Sequence, residues 1–188
     1  MSIVASKPSS TEKLSENEYK LIYEHSADSQ TVLYARDDEG NIPHRLDGPA
    51  IKWHTSSKAW YYEGMLHRTD GPAVEHANGN TEWWIYNHRH RDNGPAIEYP
   101  ETDRGEWWNK GVLHREGGPA IYGPNYRAWY KEGRKHRIDG PAVEKAPGCA
   151  LYYVNDMLIT EENFNSIYVE CNDLNVHSQR ADSYNLFD

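Results

Sequence analysis

Apolar residues fall in short runs along the chain, and each run ends at residues that favour turns. In the middle of the chain the runs are aromatic, as in Ala59–Tyr62, and a Gly, Asn or Asp follows two residues later. Short apolar or aromatic runs bounded by Gly, Pro, Asn and Asp are typical of antiparallel β-hairpins. The pattern therefore predicts an all-β protein.

The runs recur at a nearly constant period. The string His-Arg-x-x-Gly-Pro-Ala occurs five times, with successive spacings of 23, 23, 24 and 22 residues, and it begins at His44, His67, His90, His114 and His136. Seven residues before each later copy stands a tryptophan, and tyrosine takes that position after the last copy: Trp60, Trp83, Trp107, Trp129 and Tyr152. All variation in length lies between the alanine and the next aromatic, as expected for an exposed loop. These are five copies of one structural unit.

Each copy is predicted to be a hairpin. Three residues before each of the last four motif histidines stands a residue that tolerates positive φ, namely Gly64, Asn87, Gly111 or Gly133, and Asp156 takes the same place in the hairpin after the last copy. A short aromatic strand precedes this turn, and a longer strand follows it with a kink at Gly-Pro, since proline cannot donate to a ladder. Tandem hairpins of this kind predict an elongated, twisted, single-layer antiparallel sheet on the order of 50 Å long.

The flanks of the repeats predict caps. The expected organisation is a disordered segment over residues 1–17, a degenerate capping hairpin over 18–43, five repeats over 44–158, and a cap with a tail over 159–188. Thr160 is a suitable N-cap, and Glu161 and Glu162 suit the first turn of a helix. A short capping helix is predicted over Glu161–Tyr168.

Two segments carry a resemblance to a known family. Residues 59–68 (AWYYEGMLHR) and 128–137 (AWYKEGRKHR) resemble the MORN repeat, particularly its variant forms. The resemblance implies stacked β-hairpins that serve as protein-interaction or scaffold modules, with lipid contact proposed in some. MORN units follow the histidine with closely spaced glycines, whereas this chain has Asp-Gly-Pro-Ala, a form similar to repeats in proteins of large bacteriophages and giant viruses.

Charge is distributed unevenly. The net charge is −9, yet residues 44–145 hold fifteen Lys or Arg and fourteen Asp or Glu, so the acidic excess lies in the flanks. The two cysteines, Cys149 and Cys171, predict free thiols in a reducing compartment rather than a disulfide framework. With no apolar leader and no apolar run of membrane length, a cytoplasmic protein is expected, in the host cytoplasm if it is viral.

The repeated His-Arg pair leaves two interpretations open. In the first, each histidine packs on an aromatic of the next hairpin and each arginine pairs with the Asp before Gly-Pro. In the second, the His-Arg pairs form a strip that binds anions such as nucleotide, RNA or lipid headgroups. The arginines are Arg45, Arg68, Arg91, Arg115 and Arg137. A near-neutral repeat block offers little counterion release, which weakens the case for nucleic acid.

A second row of aromatics points to a protein partner. These residues follow the first aromatic of each hairpin and face the other side of the sheet: Tyr61, Trp84, Trp108, Tyr130 and Tyr153. A single-layer sheet cannot bury both faces, so one row is expected to stay exposed, and exposed Trp, Tyr and Arg are typical of interfaces.

These residues favour a non-enzymatic module that binds another protein along the aromatic and arginine face. An inhibitor of a host factor, encoded by a phage or virus, is one version of this hypothesis. Self-association through sheet edges is a further one. No phosphate loop, nucleophile motif or metal-ligand spacing is evident, so no cofactor, metal or catalytic residue is predicted.

Overall fold

The computed structural model describes residues 7–26 and 29–166. The strands are β1 Ser10–Ser15, β2 Glu18–Ser26, β3 Ser29–Ala35, β4 Ile51–Lys52, β5 Lys58–Ala59, β6 Tyr61–Tyr62, β7 Met65–Leu66, β8 Val74–Glu75, β9 Thr81–Glu82, β10 Trp84–Ile85, β11 His88–Arg89, β12 Ile97–Tyr99, β13 Arg104–Glu106, β14 Trp108–Asn109, β15 Val112–Leu113, β16 Ile121–Gly123, β17 Tyr126–Ala128, β18 Tyr130–Lys131, β19 Arg134–Lys135, β20 Val143–Lys145, β21 Cys149–Val154 and β22 Met157–Ile159. A 3₁₀ turn covers Pro100–Thr102, and a short α-helix, α1, covers residues 161–166.

These strands form one large antiparallel sheet and four small ones. The large sheet has 14 strands in the order β1-β2-β3-β4-β5-β8-β9-β12-β13-β16-β17-β20-β21-β22, and β6-β7, β10-β11, β14-β15 and β18-β19 are two-stranded. The predicted all-β fold of antiparallel hairpins is confirmed. The chain divides into two compact units, Met1–Val112 and Leu113–Asp188.

The turn inside each repeat has two residues with positive φ. In the first repeat Glu63 has φ 49° and Gly64 has φ 77°. The same pair recurs at Tyr86-Asn87, Lys110-Gly111, Glu132-Gly133 and Asn155-Asp156. Two positive φ angles define the type I′ turn, whose twist matches that of the flanking strands. The predicted left-handed position is therefore present in every copy, and the residue before it shares that conformation.

The first four repeats each contain four short strands rather than the two predicted, and the last contains three, β20, β21 and β22. In the first repeat the chain leaves the large sheet after Ala59 and forms the hairpin β6-β7, and it returns to the large sheet at β8, in the second repeat. Residues 67–73 are irregular and join β7 to β8, so Gly-Pro lies in a connection and not inside a longer strand. The physical reason is that the backbone of this connection forms a hydrogen bond with the next hairpin and not with a neighbouring strand. The Arg68 N–H donates to Trp84 O at 3.2 Å.

Most buried residues of the repeats are alanines, whereas a cluster of larger side chains is buried at the first unit's N-terminal end. The motif alanines are all fully buried: Ala50, Ala73, Ala96, Ala120 and Ala142. In the first unit, Leu21, Leu33 and Ile51 form a buried cluster against which Trp53 and Tyr61 pack. The backbone carbonyl of the motif alanine accepts a hydrogen bond from the N–H of the hairpin's first aromatic residue. For example, the Trp60 N–H donates to Ala73 O at 2.8 Å.

The caps differ in part from expectation. Strands β2 and β3 contain the two strands of the predicted leading hairpin. The prediction of disorder over residues 1–17 is wrong for Ser10–Ser15, which form β1 on β2. The side chains of β1 are all exposed, so backbone pairing forms this strand without any apolar pattern to reveal it. Of the predicted capping helix, residues 167 and 168 lie outside the described residues, as do Cys171 and the tail.

Candidate functional site

The motif arginine is clamped on both faces of its guanidinium. Arg68 Cζ lies 4.1 Å from the centre of the Trp60 ring. On the other face, a Cβ added to Gly71 would lie 2.6 Å from the same Cζ, so any other residue there would force the guanidinium to shift. The guanidinium is thus held between an indole and a backbone, a geometry that favours a cation–π contact.

The edge of the same guanidinium is also occupied. Arg68 Nε donates to Asp70 Oδ1 at 2.8 Å, and Nη1 donates to Pro72 O and to Glu75 Oε1, each at 3.2 Å. The Asp, Gly and Pro of this Arg-x-Asp-Gly-Pro string therefore each have a role around the Arg68 side chain. The proline supplies a carbonyl, the glycine supplies space, and the aspartate supplies a carboxylate.

The clamp recurs in other repeats. Arg91 Cζ lies 4.1 Å from the Trp83 ring centre, and Arg91 Nη1 donates to Pro95 O at 3.1 Å. Arg137 Cζ lies 3.9 Å from the Trp129 ring centre, and Arg137 Nη1 donates to Pro141 O at 3.1 Å. Arg115 Nη1 donates to Pro119 O at 3.1 Å. Arg68, Arg91, Arg115 and Arg137, which the sequence assigned to partner binding, thus make contacts with residues close to them in the chain.

The motif histidine holds the turn of the next hairpin. His44 Nδ1 accepts the N–H of Glu63 at 3.0 Å, and His114 Nδ1 accepts that of Glu132 at 3.1 Å. The same bond joins Tyr86 N to His67, Lys110 N to His90 and Asn155 N to His136, at 3.3 to 3.4 Å. An imidazole nitrogen accepts a hydrogen bond only while it carries no proton.

The histidine rings also meet the aromatics of neighbouring turns. His67 stacks on Tyr86 with ring centres 4.1 Å apart, and His44 lies 5.2 Å from Tyr62. Burial, followed by the positive charge of Arg36, lowers the pKa of His44. The contacts of His44, His67 and Tyr86 correspond to the packing interpretation of the His-Arg pair.

The second aromatic row is half-buried in both units, not exposed as expected. All five of its members, Tyr61, Trp84, Trp108, Tyr130 and Tyr153, are of intermediate exposure. The reason is that the hairpins are separate from the large sheet, which allows Tyr61 to pack on the Leu21–Ile51 cluster. Among the Trp, Tyr and Phe residues that the structure describes, the exposed ones are Tyr62 and Tyr86, at 39% and 48%, next to the turns.

Within this row, two indoles enclose an arginine that the sequence did not single out. Arg89 Cζ lies 4.8 Å from the Trp84 ring centre and 5.2 Å from that of Trp108. Glu82 and Glu106 accept the two indole N–H groups at 3.1 and 2.9 Å. We call Trp84, Arg89 and Trp108 the Trp-Arg-Trp cluster.

The position of Arg89 follows from hairpin register. Trp84 pairs directly with Arg89 across the two-residue turn, so both side chains lie on one face. Counting across that turn in the sequence would have revealed the pair. In the second unit the equivalent residue is Lys135, whose Nζ lies 4.9 Å from the Tyr153 ring centre. Cationic side chains therefore accompany the second aromatic row in both units.

The remaining chemistry is sparse. Among residues 7–26 and 29–166, no group of three or more His, Cys, Asp or Glu is arranged to hold a metal ion. In the same ranges, no helix has the length and apolarity needed to cross a membrane. Comparison of the chain with known protein families, with curated proteins and with solved structures finds no match.

Proposed function

We propose that this protein is a non-enzymatic protein-binding module whose main contact surface is the Trp-Arg-Trp cluster of the first unit. The observation that carries the proposal is the enclosure of Arg89 by Trp84 and Trp108 on a half-buried face. Trp and Arg are the residue types most enriched among those that dominate interface energies.

The cluster is also held in place before any partner arrives. Glu82 fixes Trp84 through its indole N–H, and Glu106 does the same for Trp108. The Glu82 carboxylate lies 3.6 Å from Arg89 Nη2 and 2.9 Å from His76 Nε2. Side chains fixed in one conformation lose little entropy on binding, which favours affinity.

The alternative, anion binding along the whole His-Arg ladder, has less support. Arg68 and Arg137 already donate to two carboxylates and a carbonyl, and Arg91 to one of each. An added phosphate would have to displace these contacts. The resemblance to MORN hairpins agrees with a scaffold or interaction role, and action on a host factor by a phage or viral protein is the narrower form of the proposal.

The test is a double substitution, Trp84→Ala with Trp108→Ala. The full-length protein is used to recover partners from cells, and affinity for each recovered partner is then measured by calorimetry. Loss of the cluster should weaken a partner's binding by roughly 30-fold or more, since residues of this kind contribute about 2 kcal/mol or more. Tyr86→Ala is the matched control, because Tyr86 is an exposed aromatic of the same hairpin outside the cluster.

Folding of each variant is verified by circular dichroism and thermal unfolding. Affinity should change little between low and physiological salt, since an aromatic surface releases few counterions. Equal binding by the wild type and by the folded double variant would overturn the proposed surface. A steep salt dependence would favour the anion alternative.

A further inference from the structure

A cavity in the second unit lies beside the motif arginine of the fourth repeat. Its volume is about 440 Å³, within the range of small-molecule sites. Its lining includes Arg115, Gly117, Lys131, Arg137 and Asp139. All of these residues belong to the second unit and none to the Trp-Arg-Trp cluster, so the site is independent of the proposed function.

In three other repeats a carboxylate binds the Nε of the motif arginine. Nε donates to the aspartate two residues later, at 2.7 to 2.8 Å, in the pairs Arg45–Asp47, Arg68–Asp70 and Arg137–Asp139. The side chains of these aspartates are 67–81% exposed. The place that the carboxylate occupies beside the guanidinium is therefore reached from solvent.

A second carboxylate, seven residues after the arginine, lies against Nη1 in three repeats. The distances are 3.0 to 3.2 Å in the pairs Arg68–Glu75, Arg91–Glu98 and Arg137–Glu144. The first repeat has the aspartate but not the glutamate, because Lys52 holds that position. The fourth repeat has an acid at neither position, since Gly117 follows Arg115 by two residues and Tyr122 follows it by seven. Arg115 is the only motif arginine with this combination.

Arg115 is nevertheless held in the orientation of its counterparts. Its Nη1 donates to Pro119 O at 3.1 Å, and Arg137 Nη1 donates to Pro141 O at the same distance. A Cβ added to Gly118 would lie 3.0 Å from Arg115 Cζ, compared with 2.9 Å for the corresponding glycine of the fifth repeat. A guanidinium is planar and rigid, so these contacts direct its Nε edge to the same side in both repeats.

Gly117 leaves the position of the aspartate open. The residue is exposed, with φ 71°, and a Cβ built on it would have no heavy atom within 4 Å beyond the adjacent residues. Lys131 also lines the cavity and adds a second positive charge. Of the acids in the lining, Asp139 is bound within its own repeat, and Glu116 lies 3.5 Å from His114 Nε2. The cavity thus combines a half-buried guanidinium, open space beside it and an added cation.

We infer that this cavity receives a carboxylate from outside the chain, which accepts a hydrogen bond from Arg115 Nε in the place of the motif aspartate. The three repeats with an aspartate show that the Nε edge of this arginine suits a carboxylate, and such charge-assisted bonds are short and strong. A doubly charged phosphate fits less well, because Glu116 and Asp139 line the same cavity and repel a second negative charge.

The carboxylate has two sources, a small free acid or the acidic side chain of a partner protein, and the experiment separates them. A capped pentapeptide with one aspartate between glycines is titrated into the ¹⁵N-labelled full-length protein, beside the same peptide with asparagine. Acetate and acetamide form the corresponding small pair. The readout is the ¹H–¹⁵N spectrum of the arginine Nε–H groups, with the Arg115 signal assigned by its loss in Arg115→Lys.

The Arg115 signal should shift saturably with a carboxylate, whereas the Arg137 signal should stay in place, because Asp139 already accepts from its Nε. The aspartate peptide should bind about tenfold or more tightly than the asparagine peptide, since the amide lacks the charge. Similar affinities for acetate and the aspartate peptide identify the carboxylate alone as the ligand. Tighter binding of the peptide identifies a protein side chain.

A matched pair of variants tests the location. Gly117→Asp supplies a carboxylate from the chain itself, and Gly117→Asn has the same shape without the charge. Both residues tolerate a positive φ better than other side chains do, so the two variants carry similar strain. Gly117→Asp should bind the aspartate peptide about tenfold or more weakly than Gly117→Asn does. Circular dichroism verifies that both are folded.

Four results would overturn the proposal. They are the absence of a saturable Arg115 shift with either carboxylate, equal affinity for the aspartate and asparagine peptides, equal affinity of the two folded Gly117 variants, and tighter binding of inorganic phosphate than of acetate. The last would make the site one for phosphate. None of them affects the Trp-Arg-Trp cluster, which is tested at residues of the first unit.

Discussion

Replacing Gly71 by alanine tests whether the clamp around the motif arginine stabilises the repeats. The added methyl group would lie 2.6 Å from Arg68 Cζ and 2.8 Å from its Nη2, so the guanidinium must move. Gly48→Ala is the matched control at the same motif position, because the nearest Arg45 atom would be 3.4 Å away, an ordinary contact distance. Both residues lie in the first unit, and neither has positive φ.

The expected magnitude follows from the contacts that Arg68 would lose. The contact with Trp60 contributes about 1 kcal/mol at this partly exposed site. The bond to the Pro72 carbonyl contributes about 1 kcal/mol, and the pairs with Asp70 and Glu75 about 0–1 kcal/mol each, since solvent screens them. Alanine restricts the unfolded chain and returns about 0.4–1 kcal/mol. The net loss for Gly71→Ala is about 1–3 kcal/mol, whereas Gly48→Ala should be neutral or slightly stabilising.

The assay is urea unfolding at equilibrium, followed by tryptophan fluorescence and by far-ultraviolet circular dichroism. With a denaturant dependence of about 2 kcal/mol/M, the midpoint of Gly71→Ala should fall by roughly 1 M relative to Gly48→Ala. The comparison uses midpoints because adjacent repeats need not unfold as one cooperative unit. Equal midpoints for the two variants would refute the clamp as a source of stability.

Two further predictions concern buried positions. Ala96→Leu should destabilise the first unit by about 1–3 kcal/mol, because the fully buried alanine leaves no space for the added atoms, whereas the exposed Ala77→Leu should change the urea midpoint little. Because the folded-state pKa of His44 is lowered, its contribution to stability is complete above the unfolded-state value of 6.5 and decreases as pH falls from 6.5 towards the folded-state pKa. The urea midpoint of the wild type should therefore fall between about pH 7.5 and pH 5.5, and fall less in His44→Gln, which keeps an acceptor for the Glu63 N–H; an equal fall in both proteins would contradict the assignment to His44.

Some features could be predicted because they depend on local backbone chemistry. The positive φ at Gly64 and its four counterparts limits which residues can occupy the turn, so the hairpins are visible in the composition of those positions. Strands β2 and β3 could also be predicted, because their apolar residues identify them as strands. Strand β1 has no such mark, because its polar side chains are all exposed and only its backbone pairs.

The candidate sites depended on how neighbouring repeats pack. The sequence named Trp84 and Trp108, but Arg89 joins them only because hairpin register places it opposite Trp84 and packing brings it to Trp108. The motif arginines were assigned to partner binding, because their residue type and their repetition suit an interface as well as they suit a structural role. Their actual acceptors, such as the Pro72 carbonyl, are backbone atoms whose positions no residue pattern reveals.

The sequence by itself determined the number of repeats, the hairpin in each and the location of its turn, because these follow from steric limits on single residues and from spacing along the chain. Only the tertiary structure decided which side of a hairpin stays accessible and which donors keep no partner. His44 has the same motif as the histidines of the other four repeats, yet its side chain has no exposed surface, whereas those of His90 and His114 are 19% exposed. Burial and hydrogen-bond satisfaction depend on distances between segments remote in the chain, which a repeated motif does not specify.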